Sequence, residues 1–116
     1  MKKIEAIIRK TKFPEVKEAL HKSGIDFFTY FPATGVGKAT QSRVYRGIEY
    51  DTSTIERLFI SIIVRDVNLD STVQAIMESA RTGDIGDGKI FISDIMDAFR
   101  IRNADQGDKA LFVLEE

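Results

Sequence analysis

Hydrophobic and polar residues alternate, or recur at helical spacing, in six places along the chain. Ile4, Ala6 and Ile8 fall on one side of an extended segment and Glu5 and Ile7 on the other, which predicts a strand over 3–9. Pro14 suits the first turn of a helix, where its missing N–H costs little. Phe13, Val16, Ala19 and Leu20 then recur at helical spacing, with Glu15, Lys17, Glu18 and Lys22 outward, and Gly24 closes the helix as a C′ residue would. The aromatic and β-branched run over 25–34 predicts a second strand. From Gly35 to about Ile55 periodicity vanishes, leaving a loop of roughly twenty residues; loops beyond about 12–15 residues are usually functional or disordered. Residues 57–64 form the strongest strand, with Leu58, Ile60, Ile62 and Val64 facing one way and Phe59, Ser61 and Ile63 the other. Asn68 or Asp70 can cap a second helix with Val73, Ile76, Met77 and Ala80 as its buried stripe. A glycine-rich turn over 81–89 and a short strand, Ile90 to Ile92, follow. Ile95 to Ile101 is ambiguous between a helical turn and a strand, and the tail pairs a polar loop (103–109) with an apolar end.

The order β-α-β-β-α-β is the ferredoxin-like pattern: an α+β fold with two helices on one face of a four-stranded antiparallel sheet. Two helices cover one face only, yet the first and third strands are apolar on both. A monomer would expose a large apolar patch, so a homo-oligomer with the open face packed inward is expected; the alternative is a C-terminal segment folded over that face.

Length and charge narrow the classes. With 116 residues the chain is expected to be a single domain with one core. Charge nearly cancels, 17 Lys+Arg against 18 Asp+Glu, unlike the basic balance of nucleic-acid binders. Cysteine is absent, which removes disulfides, thiolate metal sites and cysteine catalysis and fits a reducing compartment. No apolar run approaches the length of a membrane span, and the N-terminus is too short and too acidic for a signal peptide, so a soluble cytoplasmic protein without direct membrane insertion is expected.

Candidate chemistry lies in two basic stretches. Gly83, Gly86 and Gly88 permit backbone conformations that turn successive N–H groups into an anion nest, and Lys89 adds a point charge. Gly83 to Lys89 matches the first seven positions of a P-loop, but Ile90 stands where Ser or Thr should hold magnesium, and the turn runs from helix to strand instead of strand to helix. The P-loop is rejected and a phosphate cradle kept, against the alternative of a ligand-free connector. If Arg100-Ile101-Arg102 is extended, alternation puts both guanidiniums on one side, spaced for a polyphosphate; the commoner fate of such a pair is solvation. With Lys38 and Lys89 they roughly match the charge of a nucleoside triphosphate, and among Asp84 and Asp87 a magnesium ion or an internal ion pair both fit. His21, the one histidine, has Lys17 and Ile25 at i±4 and reads as solvated, which leaves no Ser/His/Asp set and no paired acid and base.

Taken together these residues resemble the PII signal-transduction proteins, trimeric nitrogen regulators. The stretch 81–91 looks like the family's B-loop, Arg100-Ile101-Arg102 the start of its C-loop (about 100–110), and Tyr45-Arg46-Gly47-Ile48-Glu49-Tyr50 the tip of its T-loop (about 36–55); Met1 to Ile8 and Val16 to Leu20 are similar too. The resemblance implies a homotrimer with ATP or ADP in each cleft between subunits. By position, Ile7, Thr29, Gly35 and Val64 would surround the base. Gly37, Lys38, Gly86, Asp87, Gly88 and Lys89 would hold phosphates, and Arg100 and Arg102 would reach in from the neighbour. The nucleotide is then a signal and not a substrate, and Tyr45, Arg46, Gly47, Glu49 and Tyr50 would meet a target such as an ammonium transporter or a nitrogen-assimilation enzyme. Arg46 matches the arginine that plugs the transporter channel, and Tyr50 a tyrosine that some members have uridylylated.

The sequence departs from the family at several positions. Where members that sense 2-oxoglutarate carry a magnesium-ligating glutamine, this chain has Ala39, which offers no side-chain oxygen, and only a shifted loop would bring in Gln41. Arg57 replaces a lysine near the T-loop base, and Ile48 a serine phosphorylated in photosynthetic members. The loop is one residue shorter. Magnesium is therefore possible with ATP, while a 2-oxoglutarate response is expected to be weak or absent. Two other readings compete: a PII-like interaction module that answers to another small ligand, and a phosphate-processing enzyme on a ferredoxin-like scaffold, since fold alone excludes neither.

Overall fold

A computed structural model describes residues 1–36, 43–45, 48–50 and 54–112. The strands are β1 (Lys2–Ile8), β2 (Thr29–Val36), β3 (Arg43–Tyr45), β4 (Ile48–Tyr50), β5 (Thr54–Val64) and β6 (Lys89–Asp94); the helices are α1 (Phe13–Lys22) and α2 (Leu69–Ala80). Four strands form one antiparallel sheet in the order β2-β5-β1-β6, and among the described residues β3 and β4 make a separate antiparallel pair. Setting that hairpin aside, the element order is the expected β-α-β-β-α-β.

The core follows from strand alternation. Ile4, Ala6 and Ile8 of β1 and Leu58, Ile60, Ile62 and Val64 of β5 point to one face, where Val16 and Leu20 of α1 and Ile76 and Ala80 of α2 close over them. No helix is long and apolar enough to cross a membrane among the described residues.

Register assigns Lys3, Glu5 and Ile7, Phe59, Ser61 and Ile63, Phe31, and Phe91 to the opposite face. Phe31 stacks on Phe59 with ring centroids 4.8 Å apart. Phe31 and Phe91 nevertheless stay about half exposed among the described residues.

Four local expectations are corrected. The second strand begins at Thr29 and not at Ile25. Helix α1 ends in a Schellman motif, in which the Gly24 amide donates to the His21 carbonyl at 2.9 Å and the Ile25 amide to the Leu20 carbonyl at 2.8 Å. Gly24 takes φ +81° to allow this. The backbone of residues 23–25 is thus spent on stopping a helix, and Ile25 and Phe28 pack on the core from outside the sheet. Second, the stretch 35–55 is not all loop: β2 runs to Val36, β5 starts at Thr54, and β3 and β4 lie between. Third, in the α2 stripe Ile76 and Ala80 are buried and Val73 packs on the core as expected, but Thr72 is buried with them and Met77 is 38% exposed. Thr72 tolerates burial because its hydroxyl donates to the Asn68 carbonyl at 2.6 Å. Asn68 precedes the helix as expected, but its side chain makes no cap bond. Fourth, residues 95–101 form neither a helix nor a strand; a lone bridge joins Phe99 to Gln106.

Candidate functional site

The glycine-rich turn connects the end of α2 to the start of β6. Gly83, Gly86 and Gly88 have φ of +92°, +101° and +101°, all in the left-handed region where a Cβ is penalised. At Gly88 space forbids a side chain as well, because a Cβ would lie 1.7 Å from the Ile7 carbonyl oxygen.

One carboxylate organises this turn. Asp87 Oδ2 accepts the backbone N–H groups of Thr82 and Gly83, each at 2.9 Å. Asp87 Oδ1 accepts from the Thr82 hydroxyl and, at 3.1 Å, from Arg9 Nε. The Thr82 hydroxyl oxygen in turn accepts the Asp84 amide at 3.1 Å, and Arg9 also donates to the Ile85 carbonyl at 3.0 Å. The Thr82 hydroxyl foremost, with the two amides and Arg9, holds the Asp87 carboxyl far below the usual carboxylate range. Asp87 thus forms an internal ion pair with Arg9. Arg57 reaches the same turn: a Cβ on Gly86 would stand 3.0 Å from its guanidinium and 3.4 Å from that of Arg9. Partial burial and the adjacent Arg9 charge lower the Arg57 pKa. Ile7, Ile76, Met77, Ala80, Arg81 and Lys89 line a cleft of about 270 Å³ beside the turn.

The second basic stretch is compact, so the condition for the two arginines to share one side of an extended segment is not met. The Arg100 amide donates to the Asp105 carbonyl and the Ala104 amide to the Arg100 carbonyl, each at 2.8 Å. Ala104 is left-handed at φ +61°. The Arg100 guanidinium does not project beside that of Arg102. It donates to the Lys109 carbonyl at 3.1 Å and to the Phe112 carbonyl, and lies 3.5 Å from Asp105. Arg102 is exposed on the turn that follows. Arg65, next to Val64, sits 5.0 Å over the Phe112 ring, so this group belongs to the Val64 end of the sheet.

The sheet register separates the two groups. Ile7 pairs with Phe59 and Lys89, whereas Lys2 pairs with Val64 and Asp94. At about 3.4 Å per residue, Lys2 and Ile7 are about 17 Å apart along β1. Gly35 pairs with Ile55 beyond the Ile7 end, and Thr29 pairs with Ser61 near the middle. Ile7, Gly35 and Gly86 to Lys89 thus gather at one end, and Val64, Arg100 and Arg102 at the other. Val64 is buried in the core. Gly37, Lys38, Ala39, Gln41, Arg46 and Gly47 lie outside the described residues; Tyr45 ends β3, and Glu49 and Tyr50 lie in β4.

His21 is exposed, and its Nδ1 contacts the Asp26 carboxylate instead of standing solvated alone. Sequence reasoning missed Arg9 and Thr82. Thr82 carried a signal, a hydroxyl residue ahead of glycine in a turn that also holds aspartate. Arg9 carried none, since its partner is 78 positions away.

The family described as Nitrogen regulatory protein P-II matches residues 1–105. A Nitrogen regulatory protein P-II from Porphyra purpurea is 47% identical over 112 residues, covering 96% of this chain and 100% of its own length. One from Rhodospirillum rubrum is 42% identical with the same coverage. The Nitrogen regulatory protein P-II 1 of Methanothermobacter thermautotrophicus is 43% identical over 96% of this chain and 97% of its own.

Proposed function

The chain belongs to the nitrogen regulatory protein P-II family, a family of signalling regulators and not of enzymes, and on that premise we propose that it is a cytoplasmic homotrimer that senses ATP and ADP. The observation that carries this reading is the division of the site residues between opposite ends of one sheet. Lys89 stands opposite Ile7, whereas Arg102 belongs with the Lys2 end of β1, about 17 Å of strand away, which favours a site completed by a second copy. A second copy, laid head to tail, puts the Arg100–Arg102 end of one chain against the glycine-rich end of the next. Such heterologous contacts close into a ring when the rotation permits. The half-exposed Phe31 and Phe91 on the open face then turn inward, which relieves the apolar patch.

The glycine-rich turn fits a phosphate chain. Gly86 and Gly88 hold left-handed geometry suited to an anion nest, and Lys89 stands at the exit of the turn, while the Gly83 amide is already taken by Asp87. Arg102 would add its charge from the neighbour. Asp87 contributes backbone here, because its carboxylate is engaged by Thr82, Gly83 and Arg9. A magnesium ion arriving with ATP would therefore take its ligands from the phosphates and not from Asp87.

The signal passes through the long arm between β2 and β5. Gly37 and Lys38 follow directly on Gly35 and Val36 at the glycine-rich end of the sheet. ATP and ADP differ in the phosphate they offer Lys38, so their ratio biases the conformers of the arm; a ligand shifts such an equilibrium only through this differential contact. The tip, Tyr45 to Tyr50, docks on a target such as an ammonium transporter or a nitrogen-metabolism enzyme, with Arg46 as the penetrating side chain and Tyr50 open to modification. Ala39 deprives a bridging magnesium of a side-chain oxygen, so 2-oxoglutarate binds weakly or not at all.

Calorimetric titration with ATP tests the site. Lys89→Ala and Arg102→Ala should each weaken binding at least tenfold, because each removes a charge-assisted contact worth about 1.5–3 kcal/mol. Unchanged affinity in both variants would refute the placement.

A further inference from the structure

An anion nest made of left-handed glycines is costly to order. Glycine loses more backbone entropy on folding than any other residue, and convergent N–H dipoles repel one another unless an acceptor sits among them. For the Thr82 and Gly83 amides the acceptor is the chain's own. Asp87 takes two amides on Oδ2 and a hydroxyl and a guanidinium on Oδ1, closing residues 82 to 87 into a ring. Arg9, just beyond β1, ties that ring to the sheet through both the carboxylate and the Ile85 carbonyl. Its charge is balanced by Asp87.

We propose that Asp87 is a positioning residue: its carboxylate, clasped by Thr82, Gly83 and Arg9, sets the glycine-rich turn before any ligand arrives and so supplies part of the site's affinity for a phosphate chain. This rests on the nucleotide reading above, and adds that the carboxylate acts from behind the loop without touching phosphate. A loop fixed in its bound shape avoids the ordering cost at the moment of binding. Asparagine at 87 keeps the size of the side chain but offers one oxygen, and its NH2 opposes donors it should accept.

The test uses the full chain without nucleotide and then with ATP. In the nucleotide-free protein, hydrogen exchange at the Thr82 and Gly83 amides should be at least tenfold faster in Asp87→Asn than in the wild type. ATP affinity should fall at least tenfold in the same variant. Thr82→Ala should shift both readouts in the same direction, and Thr82→Ser, which keeps the hydroxyl, should restore both. Unaltered exchange in Asp87→Asn overturns the proposal, and so does faster exchange with unchanged ATP affinity. A wild type that binds no ATP removes the nucleotide reading, while the exchange contrast still decides whether Asp87 sets the turn.

Discussion

Gly88→Ala probes the tightest site among the described glycines. Two costs add. Alanine at φ +101° pays about 1–2 kcal/mol for the left-handed backbone. Its Cβ would also stand 1.7 Å from the Ile7 carbonyl oxygen, a backbone atom that no rotamer change can remove. Relief requires β6 to part from β1 at the Ile7–Lys89 pair, which loses one or two ladder hydrogen bonds at about 1 kcal/mol each. The sum is about 3 kcal/mol, a large share of the 5–15 kcal/mol typical of a domain. At about 4 °C per kcal/mol for this size, the melting midpoint should fall by about 12 °C. Gly83→Ala is the internal control: φ is +92°, but nothing lies within 4 Å, so only the backbone cost of about 1–2 kcal/mol applies. Both variants restrict the unfolded chain equally, so that contribution cancels in the comparison. Thermal denaturation at one fixed protein concentration, needed because assembly shifts apparent stability, reads the difference. A Gly88→Ala protein no less stable than Gly83→Ala would refute the geometry at the β1–β6 junction.

Three further outcomes follow from the same structure. Ile76→Ala should cost about 2–5 kcal/mol in urea unfolding and Met77→Ala under about 1 kcal/mol, since Ile76 is buried and Met77 faces outward; equal costs would contradict the stripe assigned to α2. The hydrogen bond to Asp26, and then its charge, raise the His21 pKa above 6.5. A raised folded value means this stabilisation is complete below pH 6.5 and lost as pH climbs through the folded pKa, so the wild-type urea midpoint should drop more than that of His21→Asn between pH 6 and 8, and identical slopes would exclude the pairing. Calorimetry with 2-oxoglutarate and magnesium-ATP should show weak or no binding, and a tight complex would overturn the role given to Ala39.

Much of the fold is written in simple periods. Ile4, Ala6 and Ile8 opposite Leu58 to Val64 is an alternation that only a half-covered sheet satisfies, and Pro14 and Gly24 bracket α1 where steric rules place them. The three turn glycines were legible because their spacing suits left-handed geometry and little else. What escaped lay in competition between nearby structures or in contacts across long separations. The aromatic run from Phe27 to Phe31 looks like one strand, but the helix stop takes the backbone of 23–25 first. Val44 and Tyr45, with Ile48 to Tyr50 across Arg46-Gly47, carried a short hairpin signal hidden by polar neighbours. Thr72 reads as polar until its hydroxyl is seen bonded one turn back. Arg100 and Arg102 suggested alternation, but Asn103 and Asp105 bond to each other and fold the backbone into a turn. The Arg9–Asp87 pair depends on the sheet being assembled, and no local pattern announces it.

The central claim is that each nucleotide site is shared between two copies of the chain. Lys89→Ala and Arg102→Ala put one defect at each end of the sheet. Co-expressed and co-purified by different tags, they should form mixed rings in which one junction between unlike chains joins an intact glycine-rich turn to an intact Arg102. Calorimetry on these rings should recover ATP sites of wild-type affinity at a fraction of the wild-type number, although neither homomeric variant has any. Mixed rings with no recovered sites would contradict the claim.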